Sequence, residues 1–299
     1  MHRDERLDLD AFELHMRTMI DEGLHMFVVG GHTGEFHSMT PGERADLVSI
    51  GGGLAGAAQV FAAVGNDVDS ACHLVAHAAR ARCTGVLVHQ PPHPVSDPRG
   101  YCSYVAAIAC SSDLPMLLYI TDPALASAAV DAVRSIETVV GVKWGIADVQ
   151  LLARTVQSAE ASQVDVTWIC GLAERWAPFF SALGPVGFTS GLANVYPALS
   201  LDLADAIQRA DRPRMARLWI ETMLFEELRA RDNGRHAASV VKVALAELGR
   251  GEAVVRPPAA LPDPPERALI RRILAGWGLL DVDASATDSD QGARRREER

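Results

Sequence analysis

Lysine is nearly missing from this chain: two residues of 299, Lys143 and Lys242, stand against 26 arginines. Cysteine is sparse as well. Cys72, Cys83, Cys102, Cys110 and Cys170 are odd in number, scattered, and form no Cys-x-x-Cys pair, which excludes a disulfide frame or a zinc ribbon and leaves reduced core thiols. Positive charge is in deficit: the net charge is −10 and no basic stripe occurs, so neither nucleic acid nor an anionic membrane is an expected partner. No apolar stretch is long enough to span a bilayer. The opening residues MHRDERLDLD lead into no apolar h-region, so no signal peptide is visible and a cytoplasmic location is expected. A glycine-rich dinucleotide loop is lacking too. Gly51-Gly52-Gly53 follows a helical pattern instead of opening one, and reads as a C-cap and turn.

What is present begins with one of the two lysines. Lys143 closes the apolar run Thr138-Val139-Val140-Gly141-Val142, which reads as a buried strand. Arginine keeps its proton in proteins, whereas a lysine in a dry pocket can lose it and attack a ketone to give a Schiff base. The ordinary alternative is a lysine snorkelling from a strand end to solvent. Lys242 lies in the helical pattern 237–248, where packing and a solvated head account for it. His73 and His77, spaced i, i+4 on a helical stretch, lack a third ligand at a matching spacing, so no metal is assigned.

With 48% apolar residues the chain can bury a large core. Strand-like runs fall at 26–29, 60–64, 85–89, 116–119, 139–143, 166–170 and 187–189. Helical patterns separate them at 10–22, 41–50, 68–82, 101–110, 123–135, 149–159 and 174–183. This alternation predicts a parallel sheet with crossover helices, and several strands ending in polar residues favour a (β/α)8 TIM barrel over an open sheet. One strand is missing. Only charged residues precede the first helix, so an eighth strand has no sequence to come from; either the start lies further upstream or the barrel closes imperfectly. A gap is expected between the strand at Met26 and the one at Gly187, with residues 1–7 extended or disordered. The barrel is assigned to residues 8–197. Helical patterns at 198–209, 213–231, 236–248 and 265–275 form a C-terminal helical region, 198–280. Residues 281–299 have a disordered composition.

Three strand ends carry chemistry. Gly30-Gly31-His32-Thr33-Gly34-Glu35 can turn tightly and offer amides and a hydroxyl to a carboxylate. Tyr119 ends Pro115-Met116-Leu117-Leu118, where a phenol either relays protons or packs its ring. Lys143 is the third, and one βα unit separates it from Tyr119, so the two should face the same mouth.

The order Gly31-His32-Thr33-Gly34-Glu35, Tyr119, Gly141-Val142-Lys143 and Gly187-Phe188-Thr189-Ser190-Gly191-Leu192-Ala193-Asn194 resembles the dihydrodipicolinate synthase / N-acetylneuraminate lyase superfamily of class I aldolases. The resemblance runs from about residue 8 to 278. GGHTGEFHSMTPGE, YITDPAL, ASVVKVAL and VVRPPAALPDPP look most like its 5-dehydro-4-deoxyglucarate dehydratase branch.

That resemblance implies a cofactor-free lyase acting on a small 2-oxo acid and assembled as a homo-oligomer, a dimer or tetramer. Lys143 would be the Schiff-base lysine and Tyr119 the proton-transfer phenol. Thr33, the amides around Gly34, and His32 would hold the substrate carboxylate. Ser190 and Asn194 would line the pocket, or else serve as a cap or turn. The departures from the pattern are specific. His32 replaces a Thr, Ser or Gly. His93 replaces a relay tyrosine and can itself shuttle protons. Asp122-Pro123-Ala124-Leu125 stands where the synthases carry an arginine for a second carboxylate, and Trp144 replaces an acidic residue of the dehydratases. A dehydratase of a 4-deoxy-5-keto aldarate is the foremost expectation. The alternatives are a retro-aldolase or synthase of 2-keto-3-deoxy acids, or an inactive barrel that binds a keto acid as sensor or scaffold.

Overall fold

Six aspartates and a threonine start seven of the α-helices. Asp8, Asp67, Asp97, Asp148, Asp211 and Asp263 each accept a backbone amide of the following turn, and Thr40 forms a capping box with Glu43. Each such cap is worth about 0.5–2 kcal/mol. In this computed structural model, which describes residues 6–91, 97–184 and 187–281, the elements alternate as follows. They are α1 (Leu9–Asp21), β1 (Met26–Val29), α2 (Pro41–Gly53), β2 (Gln59–Val64), α3 (Val68–Arg80), β3 (Gly85–His89), α4 (Pro98–Ala109), β4 (Met116–Ile120), α5 (Ala126–Ser135), β5 (Val139–Trp144), α6 (Val149–Ala161), β6 (Thr167–Cys170), α7 (Ala173–Phe180) and β7 (Gly187–Phe188). Four helices follow: α8 (Pro197–Gln208), α9 (Arg212–Gly234), α10 (Ala237–Glu247) and α11 (Pro264–Gly276). Regular geometry in α9 ends before Arg231, which is extended, and Asp232 and Asn233 are left-handed.

The strands pair in parallel in chain order, β1 to β7, giving the barrel-like α/β architecture expected. Side chains alternate between two faces. Val60, Ala62, Val64, Val86, Val88, Met116, Leu118, Val142 and Trp168 face the helices in the larger core. Phe61, Leu87, Leu117 and Ile169 fill the lumen with Met26, Val28 and Tyr119 against them.

β5 departs from strict alternation. Met116 pairs with Val139 but Leu117 pairs with Gly141, so Val140 is skipped as a bulge and left 40% exposed. Val139 and Val142 therefore share the helix-facing side, and Lys143 turns inward. A bulge re-aims every later side chain of its strand; without it, Lys143 would point into the helix layer.

Among the described residues β1 pairs only with β2 and β7 only with β6, so the expected gap lies between them. Helix α1, with Met16 and Met19 buried, reaches both sides of this seam. Its His15 Nε2 lies 3.2 Å from Asn194 Oδ1, beyond β7. Residues 1–5 and the tail from 282 lie outside the described residues; Leu7 packs against the core.

Two expectations are corrected. The triplet Gly51–Gly53 is not a C-cap and turn: α2 continues through it. A Cβ on Gly52 would lie 2.1 Å from the Ala81 carbonyl oxygen, so the glycines let α2 and the end of α3 approach closely. Nor are all the cysteines core thiols, since Cys110 is exposed. The C-terminal helices have their own core, including Leu192, Val195, Leu199, Leu203, Phe225, Val240 and Ile270.

Gly52→Ala should lower the urea midpoint. Helix propensity favours alanine by about 1 kcal/mol, but a carbonyl cannot yield as a side chain does, and overpacking costs about 1–3 kcal/mol. A raised midpoint would show that glycine does not set the α2–α3 spacing.

Candidate active site

In-register pairing builds the site. His89 pairs with Tyr119, Tyr119 with Lys143, and Lys143 with Ile169, so their side chains form one layer at the carboxyl end of the lumen. Lys143 is 7% exposed, and its Nζ lies 4.2 Å from the centroid of the Tyr119 ring, a cation–π contact. Burial pulls its pKa from 10.5 down to about 8, with Cys170 opposing slightly. About a tenth of the amine is therefore neutral at pH 7, far more than for a solvated lysine. Burial also pushes the Tyr119 phenol up, keeping it protonated. Space beside the pair is kept by Gly145, whose Cβ would lie 2.7 Å from Tyr119 Cε2, and by Gly171, whose Cβ would lie 3.1 Å from Lys143 Cγ.

The loop after β1 folds over this layer. Glu35, left-handed at φ +59°, and Phe36 donate their amides to His32 O and Gly31 O, while the amides of Thr33 and Gly34 take no part in that turn. Arg229 Nη2 approaches Thr33 Oγ1 at 3.5 Å. Arg229 is buried and paired with Glu226 at 2.5 Å. Its guanidinium lies against Gly191, where a Cβ would meet Nη2 at 2.1 Å. His32 stands at the edge of the mouth, and its pKa is lowered by burial and by the charges of His37, Lys143 and Arg229.

Other candidates are placed differently. Ser190 Oγ donates to Glu174 Oε1 and accepts the Ala193 amide at 2.8 Å, so its hydroxyl closes a turn. Asn194 is bonded to His15 and to Gly191 O. His93 lies outside the described residues. Trp144 is fully buried among the helix-facing residues, its indole N–H donating to Ile146 O at 2.9 Å. Asp122 caps the Ala124 amide at 2.9 Å. His73 bonds to Asp69, whereas His77 turns to Ser49 and Ala45. Contrary to expectation, Lys242 does not hold a solvated head: its ammonium pairs with Glu35 and donates to Val254 O at 2.7 Å.

Sequence reasoning missed His89, Glu174 and Arg229. His89 ends an apolar strand, the signal that singled out Tyr119 and Lys143. Arg229 and Glu174 sit on helices and carry no local signal. Glu174 is completely buried; Oε1 accepts Ser190 and Ser200, and Oε2 has no partner among the described residues. Burial, then the charge of Glu226, raises its pKa to about 7 against the lowering effect of the two serines.

A model of the dihydrodipicolinate synthetase family matches residues 1–275. An uncharacterized DapA-like lyase of Halobacterium salinarum is 30% identical over 93% of this chain and 90% of its own length. A protein of Saccharopolyspora erythraea named "Probable 5-dehydro-4-deoxyglucarate dehydratase" is 28% identical over 89% of this chain and 87% of its own. Among solved structures, the dihydrodipicolinate synthase of Oceanobacillus iheyensis superposes with a TM-score of 0.88 at 30% identity, covering 94% of this chain and 93% of that one.

Labelling of Lys143 by a small amine-selective electrophile, followed by peptide mass, should accelerate with pH through a midpoint near 8, because only the neutral amine reacts. A midpoint near 10.5 would mean that burial does not tune it. Glu174 gives a second test. Between 4.5 and about 7 the folded protein holds a proton that the unfolded chain has released. Its contribution to stability therefore falls as pH rises across that window. Urea midpoints at about pH 5 and pH 7 should show this slope flattened in Glu174→Gln; an unchanged slope would assign it to other groups.

Proposed function

The chain belongs to the dihydrodipicolinate synthetase family and is a lyase, and from that premise we propose a Schiff-base dehydratase acting on a 2-oxo acid, a 4-deoxy-5-keto aldarate or a relative. The observation that carries this reading is the buried Lys143 amine, lowered to about 8 and held over the Tyr119 ring.

The neutral amine attacks the keto carbon, and loss of water from the carbinolamine gives an iminium. That cation withdraws electrons from the neighbouring CH2, whose proton passes to the Tyr119 phenolate formed when the phenol protonated the departing carbinolamine hydroxyl, leaving an enamine and a reprotonated phenol. The enamine expels the hydroxyl one carbon further on, and the leaving oxygen takes a proton from an acid. Tyr119, kept protonated by burial, is placed to donate it. Hydrolysis of the imine releases the unsaturated keto acid and regenerates Lys143, so the net change is loss of one water. Thr33, with the amides around Gly34, holds the carboxylate, and Arg229 behind Thr33 adds a fixed positive charge. Holding that end aims the ketone at the amine. Dehydration is favoured over carbon–carbon cleavage by the similarity to the dehydratase-named proteins, 28% identical in the Saccharopolyspora case and 29% in Streptomyces griseus.

Borohydride with a 2-oxo acid should add mass to the peptide carrying Lys143, and Lys143→Arg should abolish the adduct. Modification of Lys242 alone would sink the assignment. With a 4-deoxy-5-keto aldarate the expected product is dehydrated; release of pyruvate and an aldehyde would instead assign a retro-aldolase. Tyr119→Phe should lower kcat by about 10²–10⁴-fold, the usual contribution of a general acid or base, with much less effect on KM. An unchanged kcat would reduce Tyr119 to packing.

A further inference from the structure

The proposed chemistry uses Lys143 and Tyr119 and leaves the third polar member of their layer idle. His89 is 3% exposed, and its Nε2 is sealed from solvent with no hydrogen-bond partner among the described residues. Its ring is fixed by its neighbours. It stacks on Phe36 at 4.6 Å and 23°, and meets Tyr119 edge-on at 5.5 Å and 75°. Behind it, a Cβ on Gly65 would lie 3.0 Å from His89 Cβ, so the backbone is already in close contact. An imidazole needed only for packing could be replaced by an apolar ring with no loss, whereas a buried nitrogen without a partner carries a desolvation cost that a bound ligand can relieve.

Resting on the Schiff-base reading above, we propose that His89 is a specificity-determining residue whose imidazole hydrogen-bonds the substrate hydroxyl two carbons beyond the keto group, selecting hydroxylated 2-oxo acids over plain ones. Topology supplies the direction. Thr33 stands after β1 with Arg229 and Gly191 beside it, so the carboxylate end lies at the β1–β7 side of the lumen. Lys143, Tyr119 and His89 occupy the adjacent strands β5, β4 and β3, each step about 4.8 Å. A chain anchored at its carboxylate and joined to Lys143 at the next carbon runs over Tyr119 towards His89. The charge state selects the ligand group. Burial first, then the positive charges of Lys143, His37 and His32, hold His89 near 3, so the ring is neutral at working pH. A neutral imidazole offers one donor and one acceptor, which matches a hydroxyl; a carboxylate would call for a cation.

The test compares two acids that differ by one hydroxyl, 4-hydroxy-2-oxopentanoate and 2-oxopentanoate, each trapped with borohydride and counted by intact mass. Wild-type protein should be trapped by the hydroxylated acid at least about tenfold more efficiently, the worth of one well-made hydrogen bond. His89→Phe, which keeps a ring against Phe36, should bring that ratio close to one while leaving 2-oxopentanoate trapping within about twofold. His89→Gln, which keeps a donor and an acceptor, should retain part of the preference. If His89→Phe does not fold, His89→Leu reads the same ratio. A preference undiminished in the apolar variant, or absent from the wild type, overturns the inference and leaves the Schiff-base reading intact. Wild-type protein trapped by neither acid overturns the Schiff-base reading and this inference with it.

Discussion

Keeping one ammonium out of water is the condition on which the upper half of the barrel is organised. Lys143 is buried with no carboxylate paired with it among the described residues, and that combination is what lowers its proton affinity, the aromatic face at 4.2 Å only offsetting it in part. A salt bridge would have held the amine charged and inert; an open mouth would have returned it to the ordinary lysine range. Every neighbour is chosen accordingly. The imidazole of His89 is neutral, the phenol of Tyr119 is protonated, and Gly145 and Gly171 leave room for the layer without adding polarity. Arginine, used almost everywhere else, cannot serve because its guanidinium would stay charged in the same surroundings.

The C-terminal helices complete this arrangement from outside. Arg229 reaches Thr33, Lys242 pairs with Glu35, and Arg256 binds both Glu43 and the Ser38 carbonyl oxygen. Three cations from the end of the chain thus hold the loop and helix start that follow β1. That loop borders a seam where the sheet lacks pairing, and its position rests on side chains more than on backbone ladders. Partly buried contacts of this kind add little net stability, since desolvation offsets much of the attraction, but they impose a single geometry on a segment that glycines would leave free.

The fold was legible because buried parallel strands are short apolar runs, and all seven occur where such runs stand, with ends shifted by a residue or so. The amine and the phenol could be read for the same reason, each being a polar residue at the end of an apolar run. His89 obeys the same rule and was passed over. What could not be read is non-local. Gly51–Gly53 looks like a helix stop until Ala81 is seen against it. The Lys242–Glu35 pair joins residues 207 apart and Arg229–Thr33 residues 196 apart, and no pattern along the chain announces either. Glu174 is similar: its burial follows from where α7 packs, and nothing adjacent in sequence distinguishes it from a surface glutamate.

The bulge at Val140 makes β5 a strand that counts. Elsewhere in the sheet a residue gained or lost near a strand start can be absorbed by the preceding loop. In β5 the parity of the residues between Val139 and Lys143 decides which solvent the amine meets, the lumen or the helix layer. Substitutions along that stretch can vary as long as they stay apolar, but its length cannot. A change of one residue would leave composition, hydropathy and every other strand untouched and still remove the amine from the mouth. Alignments of distant relatives through this strand are therefore best anchored on the lysine and read backwards, with any gap placed ahead of the bulge.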